Sequence, residues 1–160
     1  MVKISKAKKN DISQIAQIAS QCFSGMQPKT KAVKWVKCNF SAWPRAQYFT
    51  AKEKSKILGY ILWVEEGGFR KESVWELEQI AVSSDFQGRG VGRQLILQSL
   101  ENIKKYLKNR GSVLKLVEVT TGTDNKAQEL YQKTLGAKKE ATVRNFFRGD
   151  EVIMIARFSS

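Results

Sequence analysis

The apolar positions of the chain change period several times, and each change predicts an element. Val2 to Lys6 alternates and reads as a first strand. Ile12, Ile15, Ala19, Cys22 and Phe23 then recur at helical spacing. Asp11 stands before them as a helix N-cap, with Gln14 three positions on, the spacing of a capping box. Gly25-Met26-Gln27-Pro28 breaks this helix, and a weaker one is expected over Lys31 to Phe40. Three strand-like runs follow: Gln47 to Ala51, Ile57 to Val64 and Val74 to Val82. Their links, Lys52 to Lys56 and Glu65-Glu66-Gly67-Gly68, are short, which predicts an antiparallel meander.

The longest helix is expected from Gly90 to Asn109, with the stripe Ile96, Leu100, Ile103 and Leu107. A Val/Leu strand from Leu114 to Thr120 comes next, then a helix from Asn125 to Leu135 closed by Gly136 as its C′ glycine. Ala137 to Val143 and Glu151 to Phe158 are the last strand candidates. The order is β α α β β β α β α β β. A right-handed crossover in the central strand–helix–strand unit makes those two strands parallel. The fold class expected is therefore α/β (α+β), a mixed central sheet of about seven strands flanked by about four helices. With no repeat or linker in sight, residues 1–160 are expected to form a single domain.

Composition narrows the chemistry. An apolar share of 42% and a charged share of 27% are those of an ordinary globular chain rather than a disordered one. Histidine is absent. That removes Ser-His-Asp and Cys-His catalysis and the commonest metal ligand. A general base must then be Glu, Asp, Lys, Tyr, Cys or a water held by one of them, and no metal is expected. Cys22 and Cys38 form neither a disulfide framework nor a metal cluster; both are expected as reduced, buried, small apolar residues. No apolar run has the length of a signal core or a membrane span, so a cytoplasmic protein with no membrane partner is expected.

The net charge is +13, which attracts polyanions such as nucleic acid, a ribosome or a polyphosphorylated cofactor. The plain alternative is solubility, since Lys104, Lys105, Lys108, Lys138 and Lys139 fall at expected helix ends or turns. No nucleic-acid-binding motif accompanies the charge.

The segment that carries chemistry is Ile80-Ala81-Val82-Ser83-Ser84-Asp85-Phe86-Gln87-Gly88-Arg89-Gly90-Val91-Gly92-Arg93. A strand ends, a loop turns and glycines open a helix. Backbone N–H groups at a helix start, helped by the dipole, bind anions. Glycines let phosphate oxygens approach the backbone, and Arg89 and Arg93 add positive charge. The loop lacks the Gly-Lys-Ser/Thr ending of a P-loop, and Gly88-x-Gly90-x-Gly92 lacks the Rossmann spacing.

Gln87-Gly88-Arg89-Gly90-Val91-Gly92 does resemble the Gln/Arg-x-x-Gly-x-Gly/Ala signature of the GNAT (GCN5-related) N-acetyltransferases. Downstream, Asn125-Lys126-Ala127-Gln128-Glu129-Leu130-Tyr131 through Gly136-Ala137 resembles the family's Asn-x-x-Ala-x-x-Leu-Tyr…Gly-Phe stretch, with Ala137 where Phe is common. Two such motifs in order, flanking a Val/Leu strand, make the resemblance specific over most of the chain; it is weakest from Gly25 to Tyr48. It implies acetyl-CoA as acyl-donor cosubstrate and an amine acceptor, a small molecule or a protein amine, and it is compatible with a homodimer.

The resemblance also implies roles. Backbone groups of Ile80, Ala81 and Val82 would pair with the pantetheine arm. Gly88, Arg89, Gly90, Val91, Gly92 and Arg93 would cradle the pyrophosphate, with Gln87 just ahead. Asn125 and Ala127 would line the cofactor groove, and Tyr131 would stand near the thioester sulfur as an acid. The base would be Glu76 or Glu78, two apart and so on one face of a strand with Val74, Ile80 and Val82. Counting six back from Val82, as in the family's histone-acetylating branch, reaches Glu76. Trp35, Phe40 and Trp43, and on the other side Phe146, Phe147, Arg148 and Asp150, fall where the family builds its acceptor pocket; packing is the plain alternative for each. Two other readings stay open: an acetyl-CoA-binding module without transfer, and a basic nucleic-acid- or ribosome-associated protein.

Overall fold

The structure is a computed structural model that describes residues 1–159. The elements come in the expected order: β1 (Lys3–Lys6), α1 (Ile12–Cys22), α2 (Lys29–Ser41), β2 (Ala46–Glu53), β3 (Lys56–Glu66), β4 (Glu72–Val82), α3 (Val91–Asn109), β5 (Val113–Gly122), α4 (Ala127–Leu135), β6 (Lys138–Val143) and β7 (Glu151–Arg157). The seven strands lie in the order β1-β2-β3-β4-β5-β7-β6. β4 and β5, joined through α3, are parallel, while β5–β7 and β6–β7 are antiparallel. The sheet is mixed, as the crossover requires. No helix among the described residues is long and apolar enough to cross a membrane.

The chain divides into two compact units: residues 1–63 with 79–99, and residues 64–78 with the chain from Leu100 onward. In the first, β3 is buried without a break from Ile57. A strand covered on both faces loses the alternation of a half-exposed one. Trp63 is fully buried and donates its indole N–H to Ser99 Oγ at 2.8 Å. Ile15, Ala16, Ile18 and Ala19 form the buried stripe of α1, and Cys22, in line with it at the last turn, is exposed. The expected capping box is not formed. Asp11 makes no side-chain bond into α1; its carboxylate accepts Lys8 N–H at 2.8 Å and pairs with Lys52 at 2.6 Å. Gln14 instead reaches the β2–β3 turn, accepting Ile57 N–H at 2.9 Å and donating to Ser55 O at 3.2 Å. Tertiary partners therefore take both side chains that the local pattern assigns to the cap.

In the second unit, Leu100, Ile103 and Leu107 continue the buried stripe of α3. Glu65, 1% exposed, receives Arg110 through two bonds of 2.6 and 2.8 Å and Ser73 Oγ–H at 2.6 Å. Trp75 Nε1 donates in turn to Ser73 Oγ at 2.9 Å. Gly136 closes α4 with φ +68°, the left-handed C-terminal glycine foreseen from sequence. Lys138 and Lys139 lie within β6 and Lys104 within α3, not at the turns or ends expected of them.

Candidate functional site

The phosphate-type loop is built within the first unit. β4 ends at Val82, a single 3₁₀ turn covers Ser84–Phe86, and α3 opens at Val91. The loop is pinned to the sheet at its root. Ser83 N–H donates to Leu58 O at 2.8 Å, and Gln87 Nε2 donates back to Val82 O at 2.9 Å. Gln87 thus holds the turn closed, a structural task the sequence did not reveal. Gly88 and Gly90 have φ of +73° and +77°, and a Cβ at either would meet nothing within 4 Å. The glycines are there for backbone conformation, which costs a non-glycine residue about 1–2 kcal/mol, and the space above them is open. Residues Gln87 to Gly90 are exposed. The first-turn N–H groups that follow have no partner inside their own helix. An open, exposed, amide-rich turn with Arg89 and Arg93 beside it fits a phosphate-bearing ligand.

Two residues missed from sequence shape this corner. Lys56 brings its ammonium over the Phe86 ring at 4.7 Å, while Arg89 lies over the same ring at 5.3 Å. Only the β2–β3 turn delivers Lys56 here, so no local signal marked it. Gly59 lets β3 and β4 close: a Cβ there would fall 2.7 Å from Ala81 O and 3.2 Å from Val82 Cα.

β4 alternates as expected. Ser73, Trp75 and Leu77 are buried, and Val74, Glu76, Glu78 and Ile80 are half-buried on the other face. The ladder to β5 shifts register at Ser73/Val74, ahead of the glutamates, and runs to Glu76↔Glu118. Glu76 therefore has the carboxylate Glu118 as its register partner; Thr120 Oγ1 donates to Glu118 Oε1 at 3.5 Å. Glu118 was not singled out because its neighbour lies far away in sequence.

Asn125, Ala127 and Tyr131 belong to the second unit, with Glu76 and Glu78; Ile80 to Arg93 belong to the first. Asn125 Oδ1 accepts Ala127 N–H at 2.9 Å, so it caps the first turn of α4. Gln128 Nε2 donates to Gly122 O at 3.0 Å and Thr123 O at 2.9 Å, tying α4 to the end of β5. Tyr131 is 5% exposed, and burial pushes its phenol up to about 12. It is neutral throughout the physiological range.

The remaining candidates sort by exposure. Phe40 stacks on Tyr48 at 5.1 Å, whereas Trp35 and Trp43 are exposed. Phe146 and Phe147 meet edge to face at 4.6 Å, exposed at the tip of the β6–β7 turn. Asp150 accepts Asn145 N–H at 3.1 Å and shapes that turn; Arg148 is exposed in the same turn. Cys22 and Cys38 are both exposed thiols, not buried apolar residues. Partial burial raises the Cys22 thiol, whose Sγ lies 3.9 Å from Val82 O. Among the described residues, no group of three or more His, Cys, Asp or Glu could hold a metal ion.

Comparison with known proteins gives the same direction. The family model "Acetyltransferase (GNAT) family" matches residues 12–137. An uncharacterized N-acetyltransferase of Methanocaldococcus jannaschii is 26% identical over 91% of this chain, which spans 64% of that relative's length. The N-alpha-acetyltransferase RimI of Mycobacterium tuberculosis is 27% identical over 92% of this chain and 85% of its own. Among solved structures, the NatC complex bound to Gag peptide and CoA has a chain that superposes with a TM-score of 0.78. It covers 99% of both chains at 12% identity, a likeness of fold. With the family model matched from α1 to the end of α4, this chain belongs to the acetyltransferase (GNAT) family.

Proposed function

We propose that this chain, acting as a single domain over residues 1–160, transfers an acetyl group from acetyl-CoA to a primary amine by direct attack in a ternary complex. The observation that carries the reading is the β4–α3 turn, with left-handed Gly88 and Gly90 under open space. Gly88 to Arg93 would hold the pyrophosphate, and the backbone of Ile80 to Val82, Asn125 and Ala127 the rest of the cosubstrate. The cosubstrate supplies an activated acetyl thioester.

The chain's own residues must then manage protons. An attacking amine must be neutral. For a lysine near 10.4, deprotonation at neutral pH costs about 4–5 kcal/mol; for an α-amino group near 7.8, about 1. Glu76 or Glu78, half-buried on β4, is the base that takes the amine proton, directly or through water. A backbone N–H near Val82 donates to the oxygen where negative charge develops. Tyr131, neutral because burial raises it, donates a hydrogen bond toward the departing sulfur. With a phenol near 12, it acts by polarisation ahead of full proton release.

The acceptor proposed is the α-amino group of a protein. Support comes from the RimI relative, whose name specifies N-alpha-acetylation, and from the lower deprotonation cost. The test is calorimetric titration with acetyl-CoA beside Gly90→Glu. A side chain at φ +77° carrying negative charge should abolish binding. Thiol release is then measured with a peptide bearing a free α-amine and with its N-blocked, lysine-containing twin. Tight parental binding, lost in the variant, with turnover of the first peptide is the expected result. A folded parent that does not bind acetyl-CoA sinks the proposal.

A further inference from the structure

The positive charge is not spread evenly along the chain. Residues 1–52 carry ten lysines and arginines against one acid, Asp11, for a net of +9; the rest, with eighteen basic and fourteen acidic residues, nets +4. Asp11 is itself buried and paired with Lys52. α2 contains Lys29, Lys31, Lys34 and Lys37 and no acidic residue. Its core contacts are Ala32 and Val36, and at 100° per residue Lys31, Lys34 and Lys37 fall on the opposite, exposed arc.

A cavity of about 230 Å³ lies at the end of α2, within the same unit, where Phe40 lines it. Phe40, Trp43 and Tyr48 supply aromatic walls, and Lys6 and Lys9 stand at the cavity as cations. Lys6 Nζ rests over the Trp43 ring at 4.3 Å, yet Trp43 keeps 53% of its surface exposed. Partial burial there lowers the Lys6 ammonium below its usual range, so its charge lacks full solvation. An exposed indole costs solubility, and clustered unbalanced lysines repel one another; one kind of ligand satisfies both. Bases stack on aromatic faces and phosphates pair with ammonium groups. An acidic peptide would satisfy the lysines and leave the indole uncovered.

We propose that the face formed by α2 and the segment following β1 binds single-stranded nucleic acid, with a base against Trp43 and the backbone along Lys6, Lys9, Lys34 and Lys37. The proposal does not rest on the reading of acetyl transfer and uses no residue of the β4–α3 turn.

The test is fluorescence anisotropy with a labelled oligouridylate of about 12 nucleotides. Four phosphate contacts predict a log–log salt slope of about −2.8, or roughly a 50-fold loss between about 50 and 200 mM salt. Lys34→Gln with Lys37→Gln should halve that slope. Trp43→Ala should weaken binding roughly 5- to 150-fold at constant salt, and Trp43→Phe should restore most of it. The melting midpoint of each variant verifies folding. Should Trp43→Ala fail to fold, the Trp43→Phe and lysine variants decide. Equal binding of a polyglutamate of the same charge, or affinity unaltered in folded Trp43→Ala, would overturn the proposal in favour of unspecific charge or an acidic protein partner. Displacement of the oligonucleotide by excess CoA would also overturn it, by assigning the binding to the phosphate turn.

Discussion

Arg110→Met tests the buried pair of Glu65 and Arg110. Glu65 is 1% exposed, and its carboxylate is held by two Arg110 bonds of 2.6 and 2.8 Å and one from Ser73 at 2.6 Å. Arg110 in turn lies over the Tyr106 and Phe69 rings at 5.3 and 5.1 Å. Methionine keeps much of the apolar stem and removes both charged bonds from a buried carboxylate that Ser73 still holds. Breaking a buried pair in this way costs about 3–5 kcal/mol. At about 2–4 °C per kcal/mol for a chain of this size, the melting midpoint should fall by about 6–20 °C. Glu65→Gln combined with Arg110→Met also loses the ring contacts but leaves no buried charge unpaired, and should recover more than half the loss. Scanning calorimetry on the three proteins decides the matter. A deficit under about 2 °C, or no recovery in the double variant, refutes the argument.

Three further outcomes are expected. Gly59→Ala drives a methyl into Ala81 O and Val82 Cα; it should cost about 1–3 kcal/mol and raise the KM for acetyl-CoA, whereas Gly25→Ala, facing open space, should leave the midpoint unchanged by thermal denaturation. Tyr131→Phe should lower kcat about 100-fold or more in a thiol-release assay. Because the phenol lies near 12, the parent's rate should show no alkaline limb from this group below about pH 10; a limb that disappears in Tyr131→Phe would contradict its assigned environment. Asn125→Ala removes the cap on Ala127 N–H; a loss of about 0.5–2 kcal/mol is expected by denaturant titration, and none would mean that Asn125 serves the ligand alone.

Much of the molecule was legible because its signals are local. The 3.6-residue stripe of α3, the left-handed Gly136 and the order of eleven elements follow from neighbours within a turn or a strand. The phosphate-type turn was legible for the same reason: strand, glycines and helix start are contiguous from Ile80 to Arg93. The errors were also local in origin. Asp11 and Gln14 match a capping box, but Lys52 and Ile57, some forty residues on, offer partners that the sequence does not rank. Cys22 has helical spacing with Ile15 and Ala19, yet as the last residue of α1 it remains exposed.

By itself, then, the sequence determined which segments are strands and helices, where an anion can meet a helix start, and that no imidazole takes part. Those are properties of residue type and short spacing. Tertiary structure alone decided that Glu76 is registered with Glu118, that Gly59 admits the end of β4, that Lys56 joins Arg89 over Phe86, and that Arg110 neutralises Glu65. Each of those relations joins positions brought together by strand order and chain crossing, and their energies depend on burial and distance, which no local pattern encodes.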